Sequence, residues 1–162
     1  MKLSVIYDSV SGTTEACANY IVNGMQQVEG VEAKAFHVNN VDMDFAIASE
    51  GLVFGTPTYM GGATAAFYTW LEKNSKALKL GGKLGGAFAT GAYMHGGENL
   101  ATMQILIHLL VRGMMVYSGG NAHGKPVIHV GPAALSTGVE EYKELFELFG
   151  KRFATQAQVI AK

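Results

Sequence analysis

Three short stretches gather the residue types that could hold or transform a ligand. The first, Ser9-Val10-Ser11-Gly12-Thr13-Thr14, places hydroxyls and a glycine between the apolar run Leu3–Tyr7 and a segment of helical spacing. Unpaired N–H groups and the dipole at a helix N-terminus favour an anion. The stretch contains no Lys or Arg, so it is neither a lysine-bearing Walker loop nor a Gly-x-Gly-x-x-Gly dinucleotide fingerprint. A phosphate monoester held by neutral donors is one chemistry open to it. The other reading is that Ser11 or Thr13 simply caps the helix.

The second stretch is Gly55-Thr56-Pro57-Thr58-Tyr59-Met60-Gly61-Gly62. A fixed proline torsion, paired glycines and a flat phenol suit a planar heterocycle stacked on Tyr59 with its polar edge read by backbone groups. An ordinary connection whose aromatic packs on the protein explains the same residues. The third, Thr90-Gly91-Ala92-Tyr93-Met94-His95-Gly96-Gly97-Glu98, adds a titratable imidazole. His95 could donate to an electron-rich ring or take up a proton, or it could be a solvated loop histidine.

Other chemically capable residues read as packing. Cys17 is the single cysteine, lies on an apolar stripe and has no zinc-type Cys/His spacing around it, so no metal site is expected. Trp70 and His108 sit at helical spacing among apolar neighbours, and Glu98 falls in a first helical turn where a carboxylate complements the dipole. Asn121, His123 and Lys125 lie in a late loop, and whether His123 or Lys125 reaches a ligand stays open.

The elements that must position these loops follow from periodicity. Apolar runs at Leu3–Tyr7, Val31–Val38, Gly51–Gly55, Leu84–Ala89 and Met114–Tyr117 read as strands. Helical spacing covers Thr13–Val28, Asp42–Ala48, Ala63–Lys76, Asn99–Arg112 and Val139–Val159. Strands alternating with helices imply right-handed crossovers and a parallel sheet covered on both faces, with ligands bound beyond the carboxyl ends of the strands. The three loops occupy such ends. The 162 residues carry no internal linker or repeat and read as one domain, 1–162.

Composition narrows the function classes. Hydrophobic residues make up 49% and charged residues 15%, enough for a sizeable core and too apolar for disorder. A net charge of −1 leaves no basic field for nucleic acid. The longest apolar stretch, Met103–Val111, is interrupted by Gln104 and His108 and is far short of a membrane span, so no membrane partner is expected. One cysteine fits a reducing, cytoplasmic setting.

Taken in order, strand–Ser9-x-Ser11-Gly12-Thr13-Thr14–helix, strand–Gly55-Thr56-Pro57-Thr58-Tyr59 and strand–Thr90-Gly91 with Gly96-Gly97-Glu98 resemble the flavodoxin-like flavoproteins. Within them, the second loop and the Arg112-Gly113-Met114 step look most like the tryptophan-repressor-binding-protein type of NAD(P)H:quinone oxidoreductase. The resemblance implies an α/β, three-layer αβα sandwich with a five-stranded parallel sheet of order 2-1-3-4-5, binding FMN non-covalently. It implies that Ser9, Ser11, Gly12, Thr13 and Thr14 hold the phosphate and that Pro57, Thr58 and Tyr59 flank the isoalloxazine. Thr90, Gly91, His95, Gly96 and Gly97 then wrap its other side.

The implied activity passes electrons from NAD(P)H to a quinone or similar small acceptor, with the flavin doing the chemistry. Tyr93 and His95 are the candidate catalytic side chains. The alternative is a flavodoxin, a non-enzymatic electron carrier. The resemblance, with the nearly all-round apolar helix 99–112, also implies a homodimer or homotetramer. Two features depart from the reductase branch: Val111-Arg112 stands where a histidine usually precedes the glycine, and Asn74–Leu78 lacks the usual tryptophan.

Overall fold

The computed structural model describes residues 1–161. β1 (Lys2–Tyr7), β2 (Glu32–His37), β3 (Gly51–Tyr59), β5 (Leu84–Gly91) and β6 (Met115–Val116) form a parallel sheet in the order β2-β1-β3-β5-β6. Counted as five core strands, this is the expected 2-1-3-4-5 order. The crossovers are α1 (Thr13–Gln26), α2 (Met43–Ala48), α3 (Ala65–Asn74) and α4 (Glu98–Val111), and α5 (Lys143–Ile160) closes the chain. Two further short strands, β4 (Gly62–Ala63) and β7 (Ala133–Leu135), pair with β3 and β5 respectively.

The sheet's period-2 alternation divides the core into two layers. Leu3, Val5 and Val53 face Cys17, Ile21 and Met25 of α1, and Phe146, Phe149 and Phe153 of α5. Ile6, Leu52 and Phe54 face Phe67 and Leu71 of α3, and Ile105, Leu106 and Leu109 of α4. Cys17 is fully buried, and burial pushes its thiol pKa up to about 12, so it is an inert core residue. Trp70 packs against the second layer. No helix is long and apolar enough to cross a membrane among the described residues.

Three differences from the sequence reading bear on function. First, β3 continues to Tyr59, so Pro57, Thr58 and Tyr59 are strand residues rather than loop. Thr58 and Tyr59 pair antiparallel with Ala63 and Gly62, and Met60 and Gly61 form the connection with φ of 52° and 77°. A two-residue hairpin needs that backbone to match the strand twist. Second, α3 starts at Ala65 because the Thr64 hydroxyl accepts from Phe67 N–H and caps it. Third, the last strand is split. β6 pairs with Leu84–Gly85 at one end of β5, and β7 pairs with Ala89–Gly91 at the other. The chain between them bulges outward and is tied to α5 by Arg152, which donates to the carbonyls of His123 and Pro126 at 2.9 and 3.0 Å. Smaller shifts end α1 at Gln26 and begin α5 at Lys143, after a 3-10 turn over Val139–Tyr142.

Candidate functional site

The carboxyl ends of β1, β3, β5 and β7 converge on one cleft. Its walls are Val10, Ser11, Thr13 and Thr14 from the first loop, Pro57, Thr58 and Tyr59 from β3, Thr90, Gly91 and Ala92 from β5, and Ser136 after β7. Eight residues singled out from sequence therefore line a single cavity, although they lie on three segments up to about eighty positions apart.

The first loop turns into α1 through Gly12, whose φ of 91° is the left-handed conformation that glycine adopts without strain. No side chain at this N-cap position bonds to the helix. Instead Ser9 Oγ reaches forward and accepts from the N–H groups of Gly12 and Glu15, at 3.2 and 3.3 Å. Ser9 thus does the capping that the sequence left open for Ser11 or Thr13. Among the described residues the N–H groups of Ser11, Thr13 and Thr14 find no acceptor. The Ser11 and Thr13 hydroxyls lie 3.4 Å apart beside them. The arrangement is a set of neutral donors, with no cation, opening on the cleft.

A polar network behind the loop fixes it, and its members were not found from sequence. Asp8, buried at the end of β1, accepts from Thr64 Oγ1 at 2.7 Å. His37, at the end of β2, accepts Asn39 N–H at Nδ1 (3.1 Å) and turns its Nε2 toward the first loop. That Nε2 faces Ser9 O at 3.3 Å and Asp8 Oδ1 at 3.6 Å, while the ring meets Tyr7 edge-on. Three strand and helix ends are thereby joined beneath the first loop.

The opposite wall carries a free polar atom. Thr58 Oγ1 is buried and has no hydrogen-bond partner among the described residues. Its neighbour Thr56 is satisfied, donating to Pro57 O and accepting from Thr64 N–H. Across the cleft floor the hydroxyls of Thr14 and Thr90 meet at 2.8 Å, tying the first and third loops together. Ser136 N–H donates to Gly91 O at 2.8 Å, which brings Ser136 into the lining. Periodicity offered no signal for it, because a three-residue strand after an irregular stretch lies below any pattern.

The third loop leaves the cleft after Ala92. Tyr93 and Met94 are exposed at its crest, and His95, with φ of 63°, borders a separate hollow beside Glu98, Asn99, Leu135 and Tyr142. Gly96 packs beside the Glu98 carboxylate, whose Oε1 is buried without a partner. Gly97 caps α4 at φ of 106°, and a Cβ there would stand 2.6 Å from Gly61 O. It lets the hairpin and the third loop touch. His123 lies against Tyr117 and Arg152 in another surface hollow, held there by the tether to α5. No cluster of three His, Cys, Asp or Glu residues suited to a metal occurs among the described residues.

Comparisons with known proteins accord with this geometry. A family model described as flavodoxin matches residues 5–109. A flavodoxin of Clostridium saccharobutylicum is 39% identical over 160 residues, covering 99% of each chain. An NAD(P)H dehydrogenase (quinone) of Chromohalobacter salexigens is 30% identical over 139 residues, covering 71% of this chain and 69% of that one. Among solved structures, a flavodoxin described as a WrbA-like protein, from Agrobacterium tumefaciens, superposes with a TM-score of 0.75 at 27% identity, covering 98% of each chain.

Proposed function

From the premise that the chain belongs to the flavodoxin family, we propose that it is an electron carrier, holding FMN in this cleft and exchanging electrons with protein partners. The observation that carries the reading is the first loop. Three N–H groups and two hydroxyls, uncapped from outside and free of cations, suit the phosphate of FMN. Thr58 supplies the second half of the fit. An orphaned buried hydroxyl costs free energy unless a ligand completes it, and the polar edge of a flavin ring would do so. Tyr59 stands at the end of β3, beside that edge, with its ring half exposed and free to stack.

When bound, FMN supplies the redox chemistry. This chain's residues do the rest. The first loop anchors the phosphate, the Asp8–His37–Thr64 network holds that loop, and the Thr14–Thr90 bond fixes the floor. Tyr59 and Tyr93 flank the opening, where they can cover the ring faces and leave an edge for a partner. His95, Gly96 and Gly97, lying beyond the lining, shape the third loop in this reading.

The expectation of a reductase gives way to its alternative on the full-length likeness to a flavodoxin. The two departures, Val111-Arg112 and the tryptophan-free Asn74–Leu78, point the same way. One observation favours the reductase as a second reading. Gly61, Gly62, Ala92 and Gly96 make the rim low, which would leave a ring face open to a nicotinamide, and quinone dehydrogenases are partial relatives. Anaerobic stopped flow separates the two. A carrier is expected to stay oxidised with NADH or NADPH and to be reduced by a separate flavoprotein reductase. Rapid bleaching by either nicotinamide, reversed by a benzoquinone, would establish the reductase instead.

A further inference from the structure

The hairpin that ends β3 is too small to hold its own position. It has two paired rungs, Thr58 with Ala63 and Tyr59 with Gly62, joined by Met60 and Gly61. A two-stranded ribbon of this size is marginal in water without a surface to lie on. That surface is α4, which touches the hairpin at two places. Gly97 lies so close to Gly61 that a Cβ on it would stand 2.6 Å from Gly61 O. About two turns further along α4, Gln104 Oε1 accepts the Ala63 N–H at 2.9 Å. The same amide lies over Gly62, where Oε1, Nε2 and Cδ of Gln104 are the atoms nearest an added Cβ, at 2.9–3.4 Å.

Gln104 has no part in packing α4 on the sheet, which Ile105, Leu106 and Leu109 do. It is exposed, and with His108 it interrupts an otherwise apolar stretch. The ladder register shows where its bond acts. Ala63 is the partner of Thr58, whose Oγ1 is buried with nothing to bond, and Gly62 is the partner of Tyr59. Thr58 and Tyr59 are the β3 residues set against the ring of a bound flavin in the reading above. Loosening at Ala63 stops at the next residue. Thr64 is pinned separately, by donating its N–H to Thr56 Oγ1 at 3.1 Å and by capping α3.

We propose that Gln104 is a positioning residue for the cofactor's ring. Its amide latches the hairpin to α4 and so sets Thr58 and Tyr59 at the ring edge, while the phosphate end is held independently by the first loop. The proposal rests on the flavin reading.

Two substitutions of similar length test it. Gln104→Met removes the acceptor, whereas Gln104→Glu keeps an acceptor oxygen. In the ligand-free protein, the Ala63 amide is expected to exchange with solvent roughly tenfold faster in Gln104→Met, with α4 amides unchanged. Gln104→Glu is expected to restore the slow rate. Titrations with FMN and riboflavin give the second reading. Gln104→Met is expected to weaken both by the same factor, roughly three- to tenfold, so that their affinity ratio stays constant. Gln104→Glu should recover both. A merely structural bond would lower the thermal midpoint and leave both affinities alone, which would overturn the proposal. Unchanged exchange at Ala63, a loss confined to FMN, or no recovery in Gln104→Glu would overturn it too. If the unsubstituted chain bound neither flavin, the cofactor reading itself would fall, and the exchange measurement would still judge the latch.

Discussion

At the residue scale the cleft is organised by hydroxyl groups, and its most telling atom is Thr58 Oγ1, buried with nothing to bond. Thr58→Val keeps the shape and removes the orphan. The ligand-free protein is expected to gain about 1 kcal/mol in a denaturant titration while FMN affinity falls roughly tenfold. A purely structural hydroxyl would not move the two in opposite directions. His108 offers a second test, away from the site. Burial, then the neighbouring Arg112, holds its pKa below the ordinary 6.5, with Glu72 opposing, and its Nε2 is buried without a partner. The unfolded chain therefore binds the proton more readily, so stability falls as pH drops through 6.5 toward the lowered folded value. His108→Gln is expected to flatten stability against pH across that window, as read by thermal melts. Serine, glycine and threonine in the first loop were legible as a site because their types and their place between strand and helix carry the signal. The capping role of Ser9 was not, since which hydroxyl turns inward depends on the Gly12 backbone.

At the element scale, strand ends do the positioning, and several depend on one side chain. Thr64 caps α3 and also donates to buried Asp8. Thr64→Ala removes both bonds and is expected to cost about 2–3 kcal/mol in urea unfolding, with FMN bound more weakly because the first loop loses its support. Thr64→Ser keeps the hydroxyl and should recover most of the loss. The hairpin after β3 has a comparable dependency at Gly97. Gly97→Ala would set a methyl 2.6 Å from Gly61 O at a φ of 106°, so a loss of about 1–3 kcal/mol is expected. Long strands and helices were readable because burial on one or both faces imposes a strong period. The split last strand was not, because two and three residues impose none. The Asp8–His37–Thr64 network escaped for another reason: it joins positions 29 and 56 residues apart in sequence, contacts that exist only once β1, β2 and α3 are assembled.

At the scale of the whole molecule, a net charge of −1 on 162 residues leaves little long-range field. Steering by a partner of opposite sign is then weak, and the rate at which a flavoprotein reductase delivers electrons is expected to change by less than about threefold between low and physiological salt. Exposed apolar side chains instead gather around the cleft mouth, at Val10, Tyr59, Met60, Tyr93 and Met94, which suits contacts made at short range. The parallel sheet and the cleft at its carboxyl edge followed from alternation of strands and helices. The choice between carrier and reductase did not, because both use the same loops and differ in what approaches the ring. The central claim is that the first loop, whose Ser11, Thr13 and Thr14 N–H groups are left without an acceptor, holds a phosphate, and equilibrium titration of the flavin-free protein with FMN and with riboflavin tests it most directly. Losing several charge-assisted bonds of about 1.5–3 kcal/mol each, riboflavin is predicted to bind at least a hundredfold more weakly than FMN. Equal affinity for the two would contradict the account.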